Sequence, residues 1–205
     1  MNSTDQPTAA GGTIAGIILA AGAASRMGKP KLLLPWQGEA LIRRAARTAL
    51  SAELTPLVVV MGAAREEMEA ALNDLPLKLV HNPNWQLGQS TSVRAGIQAL
   101  PATVKAVLFL LGDQPFISPE LIQALVKTYH QTRPTILAPF VGDRRTNPVL
   151  FDRVLFDQLC QLEGDAGART IFKQFPPSAM AWHDERLLFD IDTPEDYQRL
   201  LDSSL

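Results

Sequence analysis

Cysteine is almost absent from this chain. Cys160 is the 1 cysteine among 205 residues, which excludes an intramolecular disulfide and a cysteine-based metal cluster. Histidine is scarce too: His81, His130 and His183 lie too far apart in sequence to form a local zinc motif. Neither sign of charge is in excess. With 19 Lys and Arg against 21 Asp and Glu the net charge is −2, so no basic field recruits nucleic acid. The apolar run 14–24 is 11 residues long, short of the roughly 20 that span a bilayer. No Lys or Arg precedes it, which argues against a secretory leader. These absences lead to an expectation of a cytoplasmic protein with no membrane partner.

What is present is an ordinary globular composition, 46% hydrophobic and 20% charged, in a length that suits one domain. Residues 1–13 are polar and rich in small side chains and read as a flexible N-terminal tail, leaving 14–205 as the folded unit. Along that unit strand-like and helix-like segments alternate. Residues 14–19, 57–61, 77–80 and 105–111 read as strands; the last is a continuous apolar run of the kind covered on both faces. Weaker strand patterns occupy 135–138, 148–151 and 187–191. Helical spacing is found over 40–50, 65–72 and 91–100, then after Ser118-Pro119 and again after Thr193-Pro194, both good helix starts. Such βαβ alternation predicts an α/β fold: a doubly wound, mostly parallel sheet with helices on both faces. Ligands of such sheets bind beyond the carboxyl ends of the strands. That rule places the loops after Leu19, Leu111 and Ile191 on one edge.

All three loops carry chemistry. The first, Leu19-Ala20-Ala21-Gly22 through Arg26, Lys29 and Lys31, pairs tiny residues with cations, and small side chains allow backbone N–H groups to approach an anion. It is neither a Walker loop nor a dinucleotide G-x-G-x-x-G. The second, Gly112-Asp113-Gln114-Pro115, sets a carboxylate at a strand tip, where a Mg²⁺ site would use it; a plain turn is the alternative. The third holds Asp190 and Asp192, whose side chains face the same way across one extended residue, before a cap formed by Thr193 and Asp196. Either Asp190 or Asp192 can complete a metal site with Asp113, or both can simply stabilise a helix start. A fourth segment, 81–94, holds Gln89, Ser90 and Ser92 at a strand-to-helix junction, placed to read a base or ribose, with Ser90 or Thr91 as an alternative N-cap.

The first loop resembles the L-A-A-G-x-x-x-R-M-x-x-x-K signature of the nucleotidyltransferase superfamily with a Rossmann-like fold. Asn82-Pro83-x-Trp85-x-x-Gly88-Gln89-Ser90-x-Ser92-x-Arg94-x-Gly96 is similar to a narrower group, the molybdenum cofactor cytidylyltransferases and their relatives. Gly112-Asp113-Gln114-Pro115, Asn147-Pro148-Val149-Leu150-Phe151, Gly164-Asp165-x-Gly167-Ala168-Arg169 and the segment 190–196 continue the likeness in order, so that it covers 14–201. The resemblance implies that Leu19, Ala20, Ala21, Gly22, Arg26 and Lys31 serve the triphosphate of CTP, with Arg26, Lys31 and Asp113 catalytic. It implies Mg²⁺ (or Mn²⁺) on Asp113 with Asp192, Asp190 close by, and a nucleoside held by Asn82 and the Gly88, Gln89, Ser90 and Ser92 stretch. Asn147, Asp165 and Arg169 fall on the acceptor side, where molybdopterin would sit, and a molybdenum hydroxylase or its maturation factor is the implied protein partner. The Ala-Ala-Gly form of the loop is similar to cytidylyl-transferring members. A sugar or polyol phosphate as acceptor, or a nucleotide-binding maturation protein without turnover, are the alternatives.

Overall fold

The computed structural model describes residues 12–22 and 30–203, with backbone alone for 166–169. Residues 1–11, most of the expected tail, lie outside the described residues. Ten strands form: β1 (Ile14–Ala20), β2 (Pro35–Trp36), β3 (Glu39–Ala40), β4 (Leu57–Met61), β5 (Lys78–His81), β6 (Ala106–Leu111), β7 (Ile136–Val141), β8 (Arg144–Arg145), β9 (Val149–Asp152) and β10 (Ser178–Ala181). Six α-helices join them: α1 (Leu41–Ser51), α2 (Arg65–Leu72), α3 (Gln89–Gln98), α4 (Pro119–Thr132), α5 (Phe156–Cys160) and α6 (Pro194–Asp202).

The central sheet has the order β10-β7-β9-β6-β1-β4-β5, with β8 paired to β7. β1 runs parallel to β4 and β6, β4 to β5, and β7 to β10, while β9 is antiparallel to both β6 and β7. The sheet is therefore mixed but mostly parallel, and β1, β4, β6 and β7 end on one edge.

The apolar runs form these strands because both faces of the sheet are covered. Alternate residues of β1 divide accordingly. Ile14 and Ile18 join the core packed by α1, α2 and α4, whereas Ala15 and Ile17 join the core packed by α3 and α5. Val58, Val59 and Val60 are all fully buried. Each side chain of that size contributes about 1.5–3 kcal/mol through burial, so the central strands hold their edge loops on a firm base. α4 begins as expected, the Ser118 hydroxyl accepting from Leu121 N at 3.3 Å. α6 begins with a full capping box between Thr193 and Asp196.

One expected strand fails, and the observed strand β10 was not expected. Residues 187–191 form no strand: a 3₁₀ turn covers Glu185–Leu188 and the chain then continues irregularly. The alternation of Leu187, Phe189 and Ile191 reflects packing into two separate apolar clusters, with Leu187 in one and the other two in another. The strand that closes this side of the sheet is β10, four mostly exposed residues too short to stand out in the sequence.

Candidate functional site

The three loops expected on one edge do meet. The strand β1 ends in Ala20, and Ala21 and Gly22 follow; Gly112 and Asp113 leave β6, and the segment 190–193 hangs from that same loop through Ile191 N, which donates to Asp113 O at 3.1 Å. An aromatic cluster fixes the junction. Phe116 stands edge-on to Phe189 and to Trp36, with centroids 5.7 and 5.6 Å apart. The Arg44 guanidinium lies 4.1 Å from the Trp36 ring centre and that of Arg186 5.5 Å from Phe116. Aromatic pairs of this kind contribute about 0.5–1.5 kcal/mol each beyond area burial, so the two acidic loops are held as one piece.

Lys31 occupies the centre. It opens a 3₁₀ turn (Lys31–Leu33), and its Nζ donates to Asp113 Oδ2 at 2.7 Å, to the Ile191 carbonyl at 2.9 Å and to Asp192 Oδ1 at 3.1 Å. Burial would lower the Lys31 ammonium, yet the carboxylates of Asp113 and Asp192 hold it above its ordinary value, so it is charged. Asp190 is engaged elsewhere, its Oδ1 accepting from Gln114 Nε2 at 2.5 Å. Desolvation raises its carboxyl above the usual range and the charges of Asp113 and Asp192 add to this, against the bond from Gln114. The geometry thus separates the two aspartates that the sequence left as alternatives: Asp192 faces Lys31 and Asp113, and Asp190 faces Gln114.

Two clefts flank this centre. The first, of about 870 Å³, is lined by Leu19, Ala20, Ala21, Gly22, Lys31 and Asp113 on one side and by Trp85, Gln89 and Ser92 on the other. The second, of about 350 Å³, is lined by Gln114, Asn147 and Asp190 and by the aromatic rings of Phe109, Phe151 and Phe172. Leu19, Gln89, Leu111 and Asp165 line both, so the two clefts adjoin.

The segment 82–92 divides between scaffold and cleft. Asn82 is buried; its Nδ2 donates to Thr91 Oγ1 at 2.8 Å and to Ser92 Oγ at 2.9 Å, and its Oδ1 accepts from Asn84 N. Asn82 lines neither cleft, and its bonds tie the end of β5 to α3. Ser90 is likewise buried away from both clefts. Gln89 and Ser92 do reach the first cleft. No local hydroxyl caps α3: Thr91 Oγ1 donates to the Gly88 carbonyl, and Asp165 Oδ1, from 76 residues away, accepts from Gln89 N at 3.3 Å. Gly88 has φ +110°, and a Cβ there would lie 2.4 Å from the backbone of Gly164. Only glycine meets both demands, and the contact seals the bridge between α3 and the segment bearing Asp165.

Arg26 and Lys29 lie outside the described residues, as does the side chain of Arg169. Sequence reasoning missed another wall of the first cleft, made by Ala63 and Ala64 of the β4–α2 connection and Glu67 and Met68 of α2. It also missed Arg144 and Arg145 at the second cleft. Neither group carries a motif; the topology alone brings them to the edge.

A divalent cation suits the oxygens of this centre. Asp113 Oδ1 is buried with no hydrogen-bond partner, while Asp113 Oδ2 and Asp192 Oδ1 already converge on a cationic nitrogen. Among the described residues no three His, Cys, Asp or Glu side chains gather as a metal cage. Two carboxylates completed by phosphate oxygens and water is the arrangement Mg²⁺ favours.

Comparison with known proteins agrees with this picture. The MobA-like NTP transferase domain matches residues 16–180. Nicotine blue oxidoreductase of Paenarthrobacter nicotinovorans is 34% identical over 98% of this chain and 100% of its own length. Molybdenum cofactor cytidylyltransferase of Escherichia coli (strain K12) is 27% identical over 88% of this chain and 92% of its own. Among solved structures, Rv0371c of Mycobacterium tuberculosis H37Rv superposes with a TM-score of 0.84 at 26% identity, covering 94% of this chain and 99% of that one. A manganese complex of the same protein superposes with a TM-score of 0.78, again at 26% identity, covering 93% and 99%.

Proposed function

The chain belongs to the MobA-like NTP transferase domain family, and we propose that this nucleotidyltransferase moves CMP from CTP to the phosphate of molybdopterin, releasing pyrophosphate. One observation carries the reading: Asp113 and Asp192, from loops 79 positions apart in sequence, converge on Lys31 at the mouth of a cleft floored by Ala20, Ala21 and Gly22. Small residues there let a triphosphate lie against backbone N–H groups. The relative that is a molybdenum cofactor cytidylyltransferase supports the choice of substrates.

The residues of the chain divide the work. Asp113 and Asp192 would hold Mg²⁺, the manganese complex of Rv0371c being a parallel. Bound there, the cation would neutralise charge on the phosphate oxygens as pyrophosphate departs. Lys31, freed from the carboxylates, places its ammonium against the leaving pyrophosphate. Gln89 and Ser92 face the nucleoside from the opposite wall. The acceptor enters through the second cleft, past Asn147 and Asp165. A phosphate monoester is already ionised at neutral pH and needs no general base; among the described residues neither cleft is lined by a histidine or a cysteine.

The test is to incubate the protein with each of the four NTPs, Mg²⁺ and molybdopterin and to weigh the products. The expected product is a CMP adduct formed from CTP alone, with one pyrophosphate per turnover. A product only with a sugar or polyol phosphate moves the acceptor and leaves the transfer reading intact. Tight binding without pyrophosphate marks a maturation protein. The nearly full-length match to an oxidoreductase gives redox chemistry an arm of its own: consumption of NADH or NADPH with no use of any NTP overturns the transfer reading.

A further inference from the structure

The second cleft has a cationic wall that nothing above uses. Arg144 and Arg145 form β8, which pairs with the end of β7 and continues toward β9, so both stand at the carboxyl edge of the sheet beside the loop of Asp113 and Gln114. Both line the cleft. The Arg145 guanidinium is fixed there, 4.0 Å from the centre of the Phe172 ring, and Phe172 in turn stacks on Phe151 with centroids 6.0 Å apart and 14° between the planes. Arg144 has no ion-pair partner among the described residues. The two acids of the same cleft are engaged by protein donors, Asp165 by Gln89 N and Asp190 by Gln114 Nε2. Gln114 is buried, and its Oε1 has no hydrogen-bond partner, an unmet acceptor in the wall of the cleft.

A guanidinium packed on a ring is held in one plane, and a planar fork of N–H groups matches a phosphate or carboxylate with two parallel hydrogen bonds. We propose that Arg145, braced by Phe172 and assisted by Arg144, binds the anionic group of the acceptor and so sets acceptor specificity. The acceptor is then an anion that also offers an N–H or O–H to Gln114, and a neutral alcohol is rejected. This rests on the transferase reading, because it assigns the second cleft to the acceptor and the first to the nucleotide.

The experiment titrates phenyl phosphate, and separately its neutral parent phenol, into the full chain saturated with Mg²⁺ and α,β-methylene CTP, which releases no pyrophosphate. Phenyl phosphate is expected to bind once per chain and phenol not measurably. Arg145→Gln weakens phenyl phosphate by at least about tenfold, the loss of a charge-assisted pair of hydrogen bonds, and the double variant Arg144→Gln/Arg145→Gln weakens it further. Both arginines are exposed, and far-ultraviolet circular dichroism confirms that the variants fold. The affinity for the CTP analogue stays within about twofold. No binding of phenyl phosphate to the unaltered chain, equal binding of phenol, or a loss of the CTP analogue in Arg145→Gln each overturns the proposal. Failure of the unaltered chain to bind the CTP analogue strikes the transferase reading instead; the same Arg145→Gln comparison in the nucleotide-free chain then still decides whether an anion site exists.

Discussion

Asp113→Asn is expected to lower turnover at saturating CTP, Mg²⁺ and acceptor by at least about a hundredfold, the scale of losing a main electrostatic stabiliser of the transition state. The substitution keeps the shape of the side chain and removes its charge. Asparagine still fills the space at the tip of β6, and the backbone bond from Ile191 N to the carbonyl of residue 113 remains, so the acidic loops stay docked. What disappears is one of the two carboxylates that, among the described residues, meet at Lys31. Pyrophosphate release measured under saturating conditions checks it. Turnover within about threefold of the unaltered chain would remove Asp113 from the chemistry.

Lys31→Met is expected to have a comparable effect on turnover together with an opposite effect on metal affinity. In the structure the ammonium satisfies the same oxygens that a divalent cation would use. Its removal takes away the positive charge meant for the leaving pyrophosphate, and it also takes away a competitor for Asp113 and Asp192. Manganese binding to the nucleotide-free protein, followed by paramagnetic relaxation of water protons, should therefore tighten by about fivefold, the factor that about 1 kcal/mol of ion pairing represents. Turnover should fall by about a hundredfold or more. A variant that loses turnover and binds manganese more weakly would show that Lys31 organises the site rather than competing for it.

Much of this was legible because central strands and cap chemistry are local. The runs that became β1, β4 and β6 are apolar on both faces, and Ser118-Pro119 and Thr193-Pro194 carry their caps within four residues. The place of Asp113 was legible for another reason: parallel strands with crossover helices end on one edge, and β6 is one of them. Asp192 follows no strand and reaches Asp113 through the bond from Ile191 N to the Asp113 carbonyl. Edges and long-range partners were not legible. The strand β10 is a short, mostly exposed edge, and the cap of α3 comes from Asp165, which no local pattern couples to Gln89. The structural bonds of Asn82 were not legible because a polar side chain between a strand and a helix suits a ligand and a scaffold equally; the structure buries it among Thr91, Ser92 and Asn84. The arginines of β8 were not legible as cleft residues because nothing in their own segment shows that Arg145 meets Phe172.

The central claim is that one cation, held by Asp113 and Asp192, and a triphosphate lying along Ala20, Ala21 and Gly22 share the first cleft. A crystal structure with Mn²⁺ and α,β-methylene CTP, read by the anomalous signal of manganese, tests it most directly. The expected result is a single manganese peak in contact with both carboxylates, with the Lys31 Nζ moved from them onto phosphate oxygen. A manganese peak away from Asp113, or a cytosine ring lying along the Ala20 to Gly22 bend where the phosphates belong, would contradict it.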